Sequence, residues 1–186
     1  MRIKPFRFTL AALAAVVASG TALADPAAQA AQIKRGKYLV DTGGCHDCHT
    51  PLKMGKQGPE PDMGRALSGH PATLKLPPPP KLDQHWVMAA NATNTAYAGP
   101  WGVSYAINIT SDKDTGIGNW KAEDFVKALK TGKHLGVGRP ILPPMPWQAY
   151  SGIEEADLKA MFAYLKSTPP IKNRAPDYQP PAAPAK

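Results

Sequence analysis

Apolar positions recur at helical spacing in three places along the chain. Phe125, Ala128 and Leu129 repeat at i, i+3, i+4 and predict a helix over about 121–131, with Gly132 placed to end it. Leu158, Met161, Phe162 and Leu165 form a second stripe. It predicts a helix that starts after Ser151, where the S-x-x-E spacing to Glu154 reads as a capping box, and that stops at Pro169-Pro170. A further helix is expected over about 28–41, with Ile33, Tyr38, Leu39 and Val40 as apolar contacts and Gly43-Gly44 as its stop. Between 50 and 100 the periodicity fades. Pro59, Pro61, Pro71 and the run Pro77 to Pro80 interrupt it, which predicts ordered loop rather than sheet or long helix. Residues 169–186 carry six prolines in 18 positions and few large apolar groups, so they read as an extended, flexible tail. The expected fold class is therefore all-α: three or more helices, a long loop insertion and a disordered Pro-rich tail.

The N-terminal pattern is of another kind. Arg2, Lys4 and Arg7 precede an apolar run from Phe8 to Ala18, and Ala22-Leu23-Ala24 forms an A-x-A site before Asp25. This is the layout of a cleaved secretory signal peptide over residues 1–24, and the apolar run is shorter than the ~20 residues of a spanning helix. The expected location is the periplasm, with no transmembrane segment left after cleavage. Loss of Arg2, Lys4 and Arg7 lowers the formal net charge from +8 to +5. A mildly basic surface with scattered lysines suits transient docking on an acidic partner and lacks the clustered basic face of a nucleic-acid binder.

Chemistry enters at Cys45-His46-Asp47-Cys48-His49, a C-x-x-C-H motif that reads as the attachment site of a c-type haem. The two thiols would add across the haem vinyl groups, and His49 would ligate the iron. A redox dithiol does not call for His49. A structural zinc site needs further Cys or His at short spacing, and the chain has no other cysteine. One motif predicts one covalent haem, with Cys45 and Cys48 both consumed.

A haem iron that carries electrons takes a second axial ligand, and methionine is the usual partner of histidine. Met145 lies in Pro143-Pro144-Met145-Pro146-Trp147, where flanking prolines stiffen the loop. Met63 and Met88 are alternatives, and His134 is the competing nitrogen ligand. Met161 falls on an apolar stripe and reads as core; Met54 follows the motif too closely. Trp120 is a candidate to bond a haem propionate through its indole N–H while its ring covers the porphyrin, with a plain core role as the other reading. Trp101 and Tyr105 are weaker candidates for that role.

Several blocks taken together resemble a known family. They are Arg35 to Leu39, Cys45 to Pro51, Asn108 to Asp112, Thr115 to Trp120, Asp124-Phe125, Pro143 to Pro146, and Tyr150. In their order of helix, motif, long loop, helix, Met loop and last helix, they resemble class I c-type cytochromes, in particular periplasmic monohaem cytochromes c and the haem domains of dehydrogenase cytochrome c subunits. The resemblance implies a cytochrome c domain over 25–168, with His49 and Met145 as the axial pair. It implies that the first and last helices cross where Gly36 lets them approach, near an aromatic such as Tyr164. It also implies that a carbonyl shortly after the motif orients His49, with Gly58-Pro59 the first candidate and Pro51 the second.

The expected function is one-electron transfer, between a dehydrogenase or other donor and an oxidase or other respiratory acceptor, and not catalysis of a reaction. Lys53, Lys56, Lys113, Lys130 and Lys133 are expected around the haem edge. The alternative is a haem enzyme or gas sensor with an open or displaceable sixth position.

Overall fold

The computed structural model describes residues 25–181. The expected signal peptide, residues 1–24, lies outside the described residues, as do the last five positions of the tail. Among the described residues there are five α-helices: α1 (Pro26–Thr42), α2 (Cys45–His49), α3 (Ala122–Thr131), α4 (Trp147–Ser151) and α5 (Glu155–Ser167).

The strands correct the all-α expectation. β1 (Leu52–Gly55) pairs antiparallel with β2 (Gly58–Pro61), and β3 (Ala89–Ala90), β4 (Ala96–Gly99) and β5 (Gly102–Tyr105) form a second antiparallel sheet in that order. Two-residue turns explain both hairpins. Lys56-Gln57 sits between Gly55 and Gly58, and Pro100-Trp101 between Gly99 and Gly102. Gly58 and Gly102 take φ of 120° and 97°, which L side chains rarely adopt. Strands of four residues are too short to show an alternating pattern, so the prolines dominated the reading of this region.

α1 and α5 cross at Gly36, which is buried. A Cβ there would run into the backbone carbonyl of Ala160, so only glycine permits this approach. Arg35 spans the crossing with a two-pronged bond to Asp157, Nε to Oδ1 at 2.9 Å and Nη2 to Oδ2 at 2.8 Å. Lys37 Nζ stands over the Tyr164 ring, 5.8 Å from its centroid. The core comprises Val40 of α1; Phe125, Val126 and Leu129 of α3; Leu158, Met161, Phe162 and Leu165 of α5; and Leu67 and Ile117 from the loops. The stripes read for α3 and α5, and Met161 as core, are therefore where the sequence puts them. Tyr38 is not a core contact: its side chain is 58% exposed.

The helix ends differ in part from expectation. Gly132 closes α3 in the left-handed conformation, φ 67°. The Ser151–Glu154 box does not form. Ser151 ends α4, and its hydroxyl donates to the Gln148 carbonyl, while Glu154 is the residue before α5.

The disordered tail is the second correction. After α5 the chain runs extended but is pinned. Asn173 is buried and donates to the carbonyls of Ser68 (2.7 Å) and His70 (2.9 Å), and its Oδ1 accepts from Ala72 N (2.9 Å). Gln179 then pairs with Val103 of β5, with both backbone bonds made. Asn173 sits on a row of amides and hydroxyls: Asn108 donates to the Ile171 carbonyl, and Thr115 accepts from Asn173 N. A proline-rich composition lowers helix content, but it did not prevent ordering by specific polar contacts.

Candidate functional site

α2 is a short helix set by its flanks. Gly44 precedes it with φ 73°, and Asp47 N donates to the Gly44 carbonyl. Thr50, wholly buried, follows it and receives Leu67 N on its hydroxyl at 3.0 Å. Gly69 N donates to the His49 carbonyl at 2.8 Å. These bonds seat the motif on residues 66–70.

His49 is oriented from elsewhere than expected. Its Nδ1 lies 2.8 Å from the Ile107 carbonyl. A carbonyl only accepts, so Nδ1 carries the proton and Nε2 presents the lone pair, the arrangement typical of metal-ligating histidine. Pro59 is instead in β2, paired with Met54 on an exposed hairpin. Burial holds His49 below the ordinary imidazole pKa, so the ring is neutral. Burial also pushes the Cys45 thiol up to about 11, the opposite of the low-pKa thiol of a redox dithiol.

Cys45, Cys48 and His49 line one cavity of about 620 Å³, a size typical of cofactor sites. Ile109, Ile117, Phe125, Leu129 and Leu165 give it apolar walls. Met145 lines it too, from a loop fixed at both sides. Ser104 of β5 donates its hydroxyl to the Pro143 carbonyl, and Trp147 N donates to the Met145 carbonyl at 2.9 Å. Tyr150 of α4 donates to the Gly43 carbonyl, just before the motif. The rival methionines are elsewhere: Met54, Met63 and Met88 are exposed and do not line the cavity. Met161 reaches it from α5 as part of the core.

Trp120 lines the cavity, partly buried, with His134 edge-on to it at 5.1 Å between ring centroids. Tyr105 also lines it; Trp101 does not, and bonds Ser104 instead. The sequence reading missed Tyr97, Arg139, and the C-terminal residues Arg174 to Tyr178, all of which line the cavity. Arg139 shares a loop with Met145, a proximity the sequence could have offered. The C-terminal segment carried no comparable signal. Of the lysines expected at the edge, Lys53 pairs with Glu60 and Asp62, and Lys130 donates to the carbonyls of Ser151 and Ile153.

No family model matches the chain. Individual relatives do. The gluconate 2-dehydrogenase cytochrome c subunit of Pantoea cypripedii is 33% identical over 147 residues, 79% of this chain and 25% of that protein. The cytochrome c subunit of the quinone alcohol dehydrogenase of Gluconobacter oxydans is 31% identical over 153 residues, 81% of this chain and 25% of that protein. The chain is a c-type cytochrome, related to these subunits. A nicotinate dehydrogenase subunit of Pseudomonas putida is 31% identical over 150 residues, 81% of the cytochrome and 10% of the relative. The cytochrome thus spans a tenth to a quarter of the length of these three relatives. The relationship implies a haem c, and the cavity suits one: two thiols, an imidazole lone pair and a thioether share a cavity with apolar walls. Among the described residues, no helix is long and apolar enough to cross a membrane.

Proposed function

We propose that the cytochrome is a periplasmic one-electron carrier with a single haem c, working between a dehydrogenase or other donor and a respiratory acceptor. Residues 1–24 are a cleaved signal peptide, residues 25–168 the cytochrome domain, and the C-terminal segment a strap on it. Cys45 and Cys48 hold the haem as thioethers, and His49 and Met145 are its axial ligands. Trp120 serves the propionate side. The haem supplies a reversible ferric–ferrous couple.

The observation that carries this reading is that the motif and Met145 line one apolar cavity while the other exported methionines, the core residue Met161 apart, are exposed. The chain's own part is to hold those groups still. The Ile107 carbonyl fixes the His49 tautomer, Ser104 holds the Pro143 carbonyl of the Met145 loop, and Tyr150 ties α4 to Gly43 just before the motif. A fixed ligand set opposes rearrangement on electron gain. Docking on partners is transient and electrostatic, and the protein catalyses no reaction of its own.

The test is spectroscopic. Haem should resist acid–acetone extraction at one per chain, and the ferric protein should show the weak near-infrared band of iron–thioether bonding. Met145→Ala should abolish the band and lower the potential. A band that survives Met145→Ala but vanishes in Met63→Ala or Met88→Ala refutes the ligand assignment. Rapid carbon monoxide binding by the unaltered protein favours a gas-binding role instead.

A further inference from the structure

Residues 74–83 form neither helix, strand nor turn, and within them Pro77 to Pro80 stand exposed in a row. Each proline ring fixes φ at about −65°, and a residue before proline is steered away from the α region. The run therefore takes the polyproline II form, a rod about 12 Å long. No carbonyl from Lys75 to Leu82 accepts a backbone hydrogen bond from the described residues. Both ends of the rod are held. Leu74 N donates to the Pro71 carbonyl at 3.0 Å. At the other end His85 N donates to Asp83 Oδ1 at 2.8 Å, and Trp86 N to the Asp83 carbonyl at 3.2 Å. That turn delivers Trp86 and Val87 to solvent, 68% and 73% exposed, with Met88 beside them. Trp86 is the one exposed tryptophan among the described residues. Lys81 and Asp83 lie between rod and turn, and neither forms an ion pair among the described residues.

We infer that residues 77–88 are a self-pairing surface, and that the partner is a second copy of this chain. The Pro77–Pro80 rod lies on the partner's Trp86, and Lys81 meets the partner's Asp83. A proline rod is recognised by aromatic faces, to which it brings little conformational entropy to lose. Trp86 does not cover the rod of its own chain, since most of the side chain is in solvent. A two-fold interface needs a patch that complements itself: where one residue meets a second, the second meets the first. This segment carries both halves of each match, proline and indole, ammonium and carboxylate. A groove in another protein could take the rod but would leave Trp86 and Asp83 without a role. The segment is short, so the pair belongs with small, transient contacts below about 1,200 Å². No residue from 50 to 96 lines the cavity, so the pairing draws on none of its walls. Under the function proposed above, a pair holds two one-electron centres, matching the two electrons that one dehydrogenation releases. The pairing itself does not rest on that reading.

The experiment is sedimentation equilibrium on the purified mature protein, at concentrations up to about 1 mM. The unaltered protein should show a reversible monomer–dimer equilibrium that weakens as salt rises. Trp86→Ala should raise the dissociation constant about tenfold or more, and so should the double change Pro78→Ala with Pro79→Ala. Lys81→Glu should also weaken the pair, because the new carboxylate meets the partner's Asp83. The absorption spectrum should stay the same in every variant, since all four positions are on the surface and away from the cavity. A protein that is monomeric over the whole range overturns the inference. So does a dimer that ignores both the tryptophan and the proline changes, or one that Lys81→Glu strengthens. A rod that binds an added SH3 domain while the protein alone stays monomeric assigns the segment to another protein's groove, and overturns it too. Absence of covalent haem would refute the function proposed above and leave the pairing to stand or fall on the sedimentation alone.

Discussion

α1, α3 and α5 meet through buried aliphatic and aromatic side chains, with Leu158 and Val40 fully enclosed. The segments around 66–72, 106–118 and 168–174 meet through amides and hydroxyls that bond backbone. Asn108 bonds Thr110, Thr115 and the Ile171 carbonyl; Asn173 bonds Ser68, His70 and Ala72; Thr95 bonds His70. The first kind of contact is non-directional and tolerates small shifts. The second is directional, and each side chain holds several backbone groups at once. The helices therefore supply a scaffold, while the polar segments fix where a particular carbonyl, that of Ile107, stands behind His49.

The contrast predicts different failures. Leu158→Ala should cost about 2–5 kcal/mol through the lost transfer energy and the cavity left behind, read from urea unfolding. A cost below about 1 kcal/mol would mean that the helical core is not what holds this half. Asn173→Ala should cost about 1–3 kcal/mol, because the Ser68 and His70 carbonyls and Ala72 N lose partners at once. It should also raise hydrogen exchange in residues 68–72 and 171–179 and leave α1 unaffected. Exchange that rises equally in α1 would erase the distinction between the two regions.

Acid sharpens the comparison on the polar side. His70 is fully buried, with Nδ1 2.8 Å from Thr95 Oγ1, Nε2 facing the Leu74 carbonyl, and the Tyr105 ring edge-on at 5.0 Å. Burial, and then the nearby Arg65 cation, lower its pKa in the fold, with the Leu74 carbonyl acting against them. The neutral ring is the one the fold accepts. Its contribution is thus complete above the unfolded imidazole value of about 6.5 and is lost as pH falls toward the depressed folded value. The stability gap between the unaltered protein and His70→Gln should narrow on acidification through that range. A gap independent of pH would place His70 outside the linkage. The smallest effect belongs to Arg35→Ala. Its bond with Asp157 spans α1 and α5 but is solvent-exposed, so the melting temperature should fall only slightly, and less in high salt. A large loss there would make the crossing electrostatic rather than apolar.

What the sequence offered follows the same division. Stripes on α3 and α5 were legible because apolar burial leaves a 3.6-residue period, and the C-x-x-C-H motif and Met145, which line one cavity, stood out as candidates by their residue types. The Ile107 carbonyl was not, since any residue carries one and only the fold selects it. Asn173 and Gln179 looked like ordinary tail residues, for a polar side chain shows its role only once its distant partners are in place. Short strands beside Gly55-Lys56-Gln57-Gly58 and Gly99-Pro100-Trp101-Gly102 were masked by prolines, although the paired glycines marked both turns.

Arg174 to Tyr178 form part of the cavity wall, held by Asn173 before them and by Gln179 beyond. Synthesis proceeds from the other end. The cysteines at 45 and 48 emerge more than a hundred residues before that wall exists. For most of the chain's emergence, the pocket lacks one side, which leaves a way in for a large rigid group. Residues 174–178 are the last part of that wall to be made. A chain cut short at 172 would lack that wall and, with Asn173 gone, the bonds that hold Ser68, His70 and Ala72 beside the motif.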